Sequence, residues 1–291
     1  MVYYLLNSSL ILLLGFFWAS ESVLGKLLME RGAGVFDFPI VLNFGTVIAM
    51  LAAGCLKRKP ARQAACGRKP YAWMICTALT LVFVPYCILY LSLRQMSPAE
   101  TSLLTSLTPV FSMILGLALR QMKLRLLSAS ALASGVIGVS LLILPQLDIG
   151  AGSSPPFYYF LMLLVPLSYA ASGYFLKAAF NSGATYTQLL LVTNLISGCL
   201  FLILNKGIPA NIHLDSAGLV LTGIAFNIGA IALMMFISGR TTPFSLSFSN
   251  HATLVFSFVM TAIFFNQSFS TVMFVSALLI VLSSILTQVK K

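Results

Sequence analysis

The chain has 291 residues, of which 59% are hydrophobic and 8% charged, and its mean hydropathy is +0.99. Soluble domains carry about 25% charged residues, so this chain lacks the charge to coat a water-exposed surface. That excludes an ordinary soluble enzyme, a disordered chain and a nucleic-acid binder, and it leaves a protein that lives in lipid.

Only six acids are present, Glu21, Glu30, Asp37, Glu100, Asp148 and Asp215. Between the charges lie long apolar runs. A membrane helix needs about 20 apolar residues to cross the hydrocarbon layer. In chain order the runs predict spans within Tyr3–Leu28, Phe38–Leu56, Tyr71–Leu93, Thr101–Leu119, Leu126–Leu147, Ser153–Leu176, Ala178–Asn205 and Ser216–Gly239. Thr241–Val289 is long enough for two more, hinged at the polar break Asn266-Gln267-Ser268. Runs such as Leu10–Phe17 are apolar on every side, which selects helices over an alternating barrel pattern. The expectation is an all-α integral membrane protein with ten transmembrane helices.

Orientation follows from the cations. With a cytoplasmic N-terminus, the inner loops hold Lys57, Arg58, Lys59, Arg62, Arg68, Lys69, Arg120, Lys123, Arg125, Lys177, Arg240, Lys290 and Lys291. The outer loops hold Lys26, Arg31, Arg94 and Lys206. This is a strong positive-inside bias. It puts both termini in the cytoplasm and accounts for the net charge of +11 without a nucleic-acid partner. Cys55, Cys66, Cys76, Cys87 and Cys199 sit in spans or in the basic loop and imply no disulfide framework. The first apolar run lacks a basic leader and is long enough to span, unlike a cleavable signal.

The two halves align. At an offset of ~145, Ser97-Pro98 meets Thr242-Pro243 and Val110-Phe111-Ser112 meets Val255-Phe256-Ser257; at ~151, Lys26 meets Lys177, Gly32 meets Gly183 and Trp18 meets Tyr169. The expected organisation is a first five-helix repeat over residues 1–147, a linker at 148–156 and a second repeat over 157–291. Five spans per half turn the second half over relative to the first, giving a 5+5 inverted-topology repeat. That architecture places a site between the halves and suits alternating access.

Phe17-Trp18-Ala19-Ser20-Glu21-Ser22-Val23-Leu24-Gly25-Lys26 resembles the opening motif of the EamA-like branch of the drug/metabolite transporter superfamily. Leu107-Thr108-Pro109-Val110-Phe111 resembles its fourth-span Pro-Val motif, and Gly135-Val136-Ile137-Gly138-Val139 its fifth-span glycine pair. The chain departs from the family where the fourth and ninth spans end, reading Arg120-Gln121 and Asn266-Gln267 instead of Gly-Glu, and at Leu254-Val255, which lacks the Pro. The resemblance implies a central cavity lined mainly by the first, third, fourth, sixth, eighth and ninth spans, with the fifth and tenth peripheral.

Glu21 is the one acid well inside a span. Such a charge costs roughly 2.5–3.5 kcal/mol near the membrane centre and normally faces a bundle interior. Trp18 and Gly25 share its helical face. Glu21 is read as a contact for a cationic group or as a proton carrier; the plainer reading is an interhelical hydrogen bond or a pair with Lys26. His251, preceded by Asn250 near the middle of the ninth span, is the second candidate proton carrier; its plainer reading is a polar staple between helices. The repeat sets Thr105 and Ser106 opposite Asn250 and His251. Tyr86 and Tyr90 lie one turn apart beside Pro85, and Asn43, Asn194 and Asn227 sit inside spans; these read more readily as interhelical glue. The resemblance adds that Trp18, Glu21, Tyr86, Tyr90, Thr105, Tyr169, Asn227, Asn250 and His251 all come from the inner set of spans and are the candidate substrate-binding residues. Glu100 reads as a cap, Tyr158, Tyr159 and Trp73 as interfacial belt residues, and Lys26 and Lys177 as snorkelling cations.

No metal-ligand spacing, Gly-x-Ser-x-Gly elbow or Walker A loop is present, so no cofactor, metal or enzymatic activity is expected. The leading reading is a secondary active exporter of small organic metabolites, amino acids or related amines, in a bacterial inner membrane, proton-coupled through Glu21 or His251. Its partners would be a small-molecule substrate and the lipid bilayer, with no nucleic acid; a homodimer is left open. The competing readings are an intramembrane enzyme using Glu21 and His251, and a non-transporting membrane assembly protein.

Overall fold

The computed structural model describes residues 2–56, 68–120, 126–147, 155–209, 211–238 and 243–288. Most of the basic stretch Lys57–Lys69 and of the 148–156 linker, and Thr242, lie outside the described residues. Among the described residues every regular element is helical. The helices are α1 (Val2–Glu30), α2 (Asp37–Leu56), α3 (Arg68–Thr77), α4 (Val84–Leu93), α5 (Pro98–Thr105), α6 (Thr108–Ala118), α7 (Leu126–Leu147), α8 (Pro156–Met162), α9 (Leu164–Asn181), α10 (Tyr186–Leu204), α11 (Ala217–Ser238), α12 (Pro243–Phe265) and α13 (Thr271–Gln288). Among the described residues, six stretches are long and apolar enough to cross a membrane: Ser9–Glu30, Pro70–Leu93, Pro98–Ala118, Pro156–Asn181, Tyr186–Leu204 and Leu214–Met234. Shorter apolar helical stretches cover Asp37–Ala53, Ala129–Ile143, Ser249–Phe265 and Thr271–Ser283.

Among the described residues, three of the six long apolar stretches are interrupted, each near a proline. A proline lacks the N–H that closes a helical turn, and its ring crowds the carbonyl four residues back. Before Pro85, residues Ala78–Phe83 widen into a π-helical segment that joins α3 to α4. A π turn would direct the N–H of residue 85 to the carbonyl of Thr80; Pro85 has none to give. The Ser168 hydroxyl of α9 donates to that carbonyl instead, at 2.8 Å. Before Pro109, α5 ends and α6 restarts across Ser106-Leu107. Before Pro166, α8 gives way to α9 at Leu163. The ninth run, which has Leu254 where the fourth has Pro109, is a continuous helix.

The turns after α1 and α9 are built alike. Gly32 (φ 95°) and Gly183 (φ 92°) occupy the left-handed conformation that ends a helix without a Cβ penalty. Ala33 N–H donates to Leu28 O at 3.0 Å, and Ala184 N–H donates to Ala179 O at 3.1 Å. Two residues after each glycine the next helix is capped in the same way. Gly34 N–H donates to Asp37 Oδ2 at 2.8 Å, and Thr185 N–H donates to Gln188 Oε1 at 3.0 Å. Arg120 (φ 56°) and Asn266 (φ 49°) likewise both end their helices left-handed, where glycine is the usual residue.

Helix α1 lies against α12 and α11, α2 against α10, and α7 against α13. The α1–α12 contact depends on Gly15. A Cβ there would sit 2.4 Å from the Ala252 Cβ and 2.7 Å from the Thr253 backbone nitrogen. The backbone cannot step aside as a side-chain tip can, so overpacking should cost about 1–3 kcal/mol. Gly15→Ala is expected to lower the melting temperature of the detergent-purified protein by several degrees; an unchanged melting temperature would show that the two helices are free to separate.

Candidate functional site

Register between helices fixes which polar groups can meet. Gly25 abuts Tyr90, where an added Cβ would lie 2.4 Å from Tyr90 Cε1. Four residues earlier on both helices, Glu21 and Tyr86 are therefore level with one another. Glu21 is 5% exposed, turned into the bundle and not toward lipid. The Tyr86 hydroxyl faces its carboxylate. The carboxylate oxygen Oε1 is buried with no hydrogen-bond partner, and so is the Tyr90 hydroxyl. The Tyr86 and Tyr90 rings meet edge to face at 5.8 Å. Tyr169, on α9, is near enough to feel the Glu21 charge. One carboxylate and three tyrosines from α1, α4 and α9 thus form a polar cluster in which Glu21 and Tyr90 are buried and Tyr86 and Tyr169 half-buried.

The other candidates lie elsewhere. Ser20 Oγ reaches Met260 Sδ at 3.8 Å, and Gly15 is level with Ala252. Half-buried His251 and Asn250 on α12 therefore sit about 10 Å from Glu21 along the helix axis, at ~1.5 Å per residue. Trp18 packs with Leu14, Ala230 and Ile237 where α1 meets α11. The Asn227 amide on α11 donates to Thr46 Oγ1 on α2 at 2.8 Å, an interhelical bond of the kind expected of spans. Thr105 donates its hydroxyl to Thr101 O at 2.8 Å within its own helix. Of the sequence candidates, then, Glu21, Tyr86, Tyr90 and Tyr169 are brought together, and the remaining five are not shown to join them.

A second polar region closes the end of the bundle that carries Glu30. Lys26 Nζ donates to Leu93 O at 2.7 Å and Met96 O at 3.1 Å. These carbonyls belong to the C-terminal end of α4 and the turn after it, where a cation satisfies orphan acceptors and the helix dipole together. Glu100 completes a capping box with Ser97, accepting from the Ser97 backbone N–H at 2.7 Å. Its second oxygen accepts from the Tyr159 hydroxyl. Tyr159 is fully buried and is no belt residue. Deeper in, Ser102 Oγ and Ser257 Oγ lie 2.7 Å apart and tie α5 to α12. A pocket of about 190 Å³ lined by Lys26, Glu30, Ser97, Glu100, Phe265 and others opens at this end.

Sequence reading missed the Tyr159–Glu100 pair and the grip of Ser168 on the π segment, whose partners are far apart in the chain. It also missed the aromatic packing of Phe16 against Phe226 (5.7 Å) and Phe256 (5.5 Å), which joins α1, α11 and α12. Among the described residues no group of three or more His, Cys, Asp or Glu could hold a metal ion.

The chain is similar to a solved crystal structure of a protein at a TM-score of 0.56, with 20% identity over 96% of this chain and 96% of that one; at that identity the likeness speaks for the fold. No curated protein matches the sequence. Residues 6–144, which include α1 with Glu21, the π segment and the broken α5–α6 crossing, match the EamA-like transporter family. These residues, just under half of the chain, are thus similar to the EamA-like transporter family, a family of the drug/metabolite transporter superfamily.

Proposed function

We propose that the protein is a secondary active exporter of small organic metabolites, amino acids or related amines, which works by alternating access in a bacterial inner membrane. The observation that carries the reading is Glu21, an acid inside an apolar helix, held within the bundle with one oxygen lacking a partner. Such groups in membrane helices mark substrate or ion pathways. In this reading the six long apolar stretches and the four shorter ones are ten crossings arranged as two inverted five-helix repeats. The matching turns at Gly32 and Gly183, and the caps at Gly34–Asp37 and Thr185–Gln188, support the repeat. The excess of cations at the Arg120 end makes that end cytoplasmic, with both termini, and the Glu30 end external. Glu21 and His251 are the candidates for carrying a coupled proton, from separate depths.

Alternating access needs two near-equal packings. Lys26, Glu100 and the Ser102–Ser257 contact would hold the Glu30 end shut, while the Ser106-Leu107 break lets the two parts of the fourth crossing move apart. The test is counterflow. The purified chain is reconstituted in proteoliposomes loaded with amino acids and amines, and entry of labelled solute is followed. Intact labelled solute should accumulate transiently above equilibrium. A chemically altered product would support the enzyme reading instead, and no movement of any solute in the panel would overturn the transporter reading.

A further inference from the structure

We propose that the cluster of Glu21, Tyr86, Tyr90 and Tyr169 is a site for one ammonium group on an apolar body without a carboxylate, an amine cation rather than an α-amino acid. The proposal rests on the transporter reading and narrows its cargo.

The site lacks what an ammonium group supplies. Glu21 Oε1 and the Tyr90 hydroxyl are both buried without partners, and buried polar groups are ordinarily paired because an unpaired one is costly. An ammonium group brings up to three N–H donors. It can donate to Oε1 and to the Tyr90 oxygen while Tyr86 still faces the carboxylate. The tyrosine rings, met edge to face at 5.8 Å, offer π surface that attracts a desolvated cation. The cationic charge also neutralises an acid that has no ion-pair partner among the described residues.

Among the described residues the site offers no cation to pair with a second, negative group. In an α-amino acid the ammonium and carboxylate share one carbon, so the carboxylate would lie close to Glu21 and be repelled by it. Phe38–Leu56, Tyr71–Leu93, Thr101–Leu119, Ser153–Leu176 and Ser216–Gly239 contain no Lys or Arg. The cation nearest along the chain, Lys26, is engaged with the carbonyls of Leu93 and Met96. The N-terminus of α6 at Thr108 could receive an anion, but the Ser20–Met260 and Ser102–Ser257 contacts place it on the order of 10 Å away along the bundle axis. That is too far for the two groups of one α-amino acid.

The experiment pairs each amine with its α-carboxylated parent: 2-phenylethylamine with phenylalanine, and 3-methylbutylamine with leucine. Initial counterflow rates in proteoliposomes of the full chain should favour the amine at least tenfold in each pair. The amines, and not the amino acids, should raise the melting temperature of the detergent-purified protein. Tyr90→Phe should raise the KM for the amine several-fold with little change in kcat. Equal or preferential movement of the amino acids would overturn this proposal and leave the transporter reading standing. Amines that stabilise the protein without moving would leave the site and remove the transport. If neither member of a pair binds or moves, the proposal fails.

Discussion

Glu21→Gln should reduce kcat/KM for transport by at least a hundredfold while the protein melts at the wild-type temperature or above it. A hundredfold loss corresponds to about 2.7 kcal/mol of transition-state stabilisation. Glutamine has the shape of glutamate and keeps an oxygen that can accept from Tyr86. What it removes is the charge. Glu21 is 5% exposed and its Oε1 is unpartnered, so the ionised acid pays a desolvation cost in the empty protein that the amide does not. If Glu21 were a structural staple, neutralising it would disturb the fold and the transport together. If it holds cargo or a proton, function disappears from a protein that is as stable as before, or more so. The measurement is a transport assay beside a melting curve on the same preparation. Wild-type kcat/KM in Glu21→Gln would remove the carboxylate from the mechanism, and a sharp fall in melting temperature would return it to a structural role.

Lys26→Met should open the Glu30 end. The Nζ atom bridges α1 to the last carbonyl of α4 and to Met96 in the turn that leads into α5. Hydrogen bonds from a charged donor contribute about 1.5–3 kcal/mol each. Losing even one of them should shift a two-state equilibrium about tenfold or more toward the state in which these elements separate. Methionine keeps the length and most of the apolar stem, so packing is little changed. The readout is a cysteine placed at Ser257, in a background with the native cysteines replaced, challenged by an impermeant thiol reagent from the side the Glu30 end faces. Labelling should accelerate about tenfold in Lys26→Met and return most of the way in Lys26→Arg. Identical rates in all three proteins would show that the lysine is a cap and not a latch.

Much of the helical organisation is legible in the sequence because lipid imposes it. Each charge-free run had to become a helix, since backbone groups have no other partners there. The capping box at Ser97–Glu100 and the left-handed turn at Gly32 are local and readable from spacing. Glu21 announces itself as an acid in an apolar run, and Tyr86 and Tyr90 as a pair one turn apart. What no spacing reveals is register between helices. The contact of Gly25 with Tyr90 makes Tyr86 level with Glu21, whereas Trp18, on the same helix, packs toward α11. Uniformly apolar helices carry no stripe that says which side faces in, so the sequence alone cannot say that Trp18 packs with Ala230 and Ile237 or that Asn227 reaches Thr46. Tyr159 was legible only as an aromatic near a loop, because its partner Glu100 belongs to another crossing.

The serine that grips the carbonyl of Thr80 has a mechanical consequence. It stitches the α3–α4 stretch to α9 at the very point where Pro85 has loosened the backbone. The hydroxyls around the Ser106-Leu107 break, Thr105, Ser106 and Thr108, each donate to a carbonyl of their own segment. The splint on the π segment should make α4 and α9 travel as one stiff plank when the bundle moves.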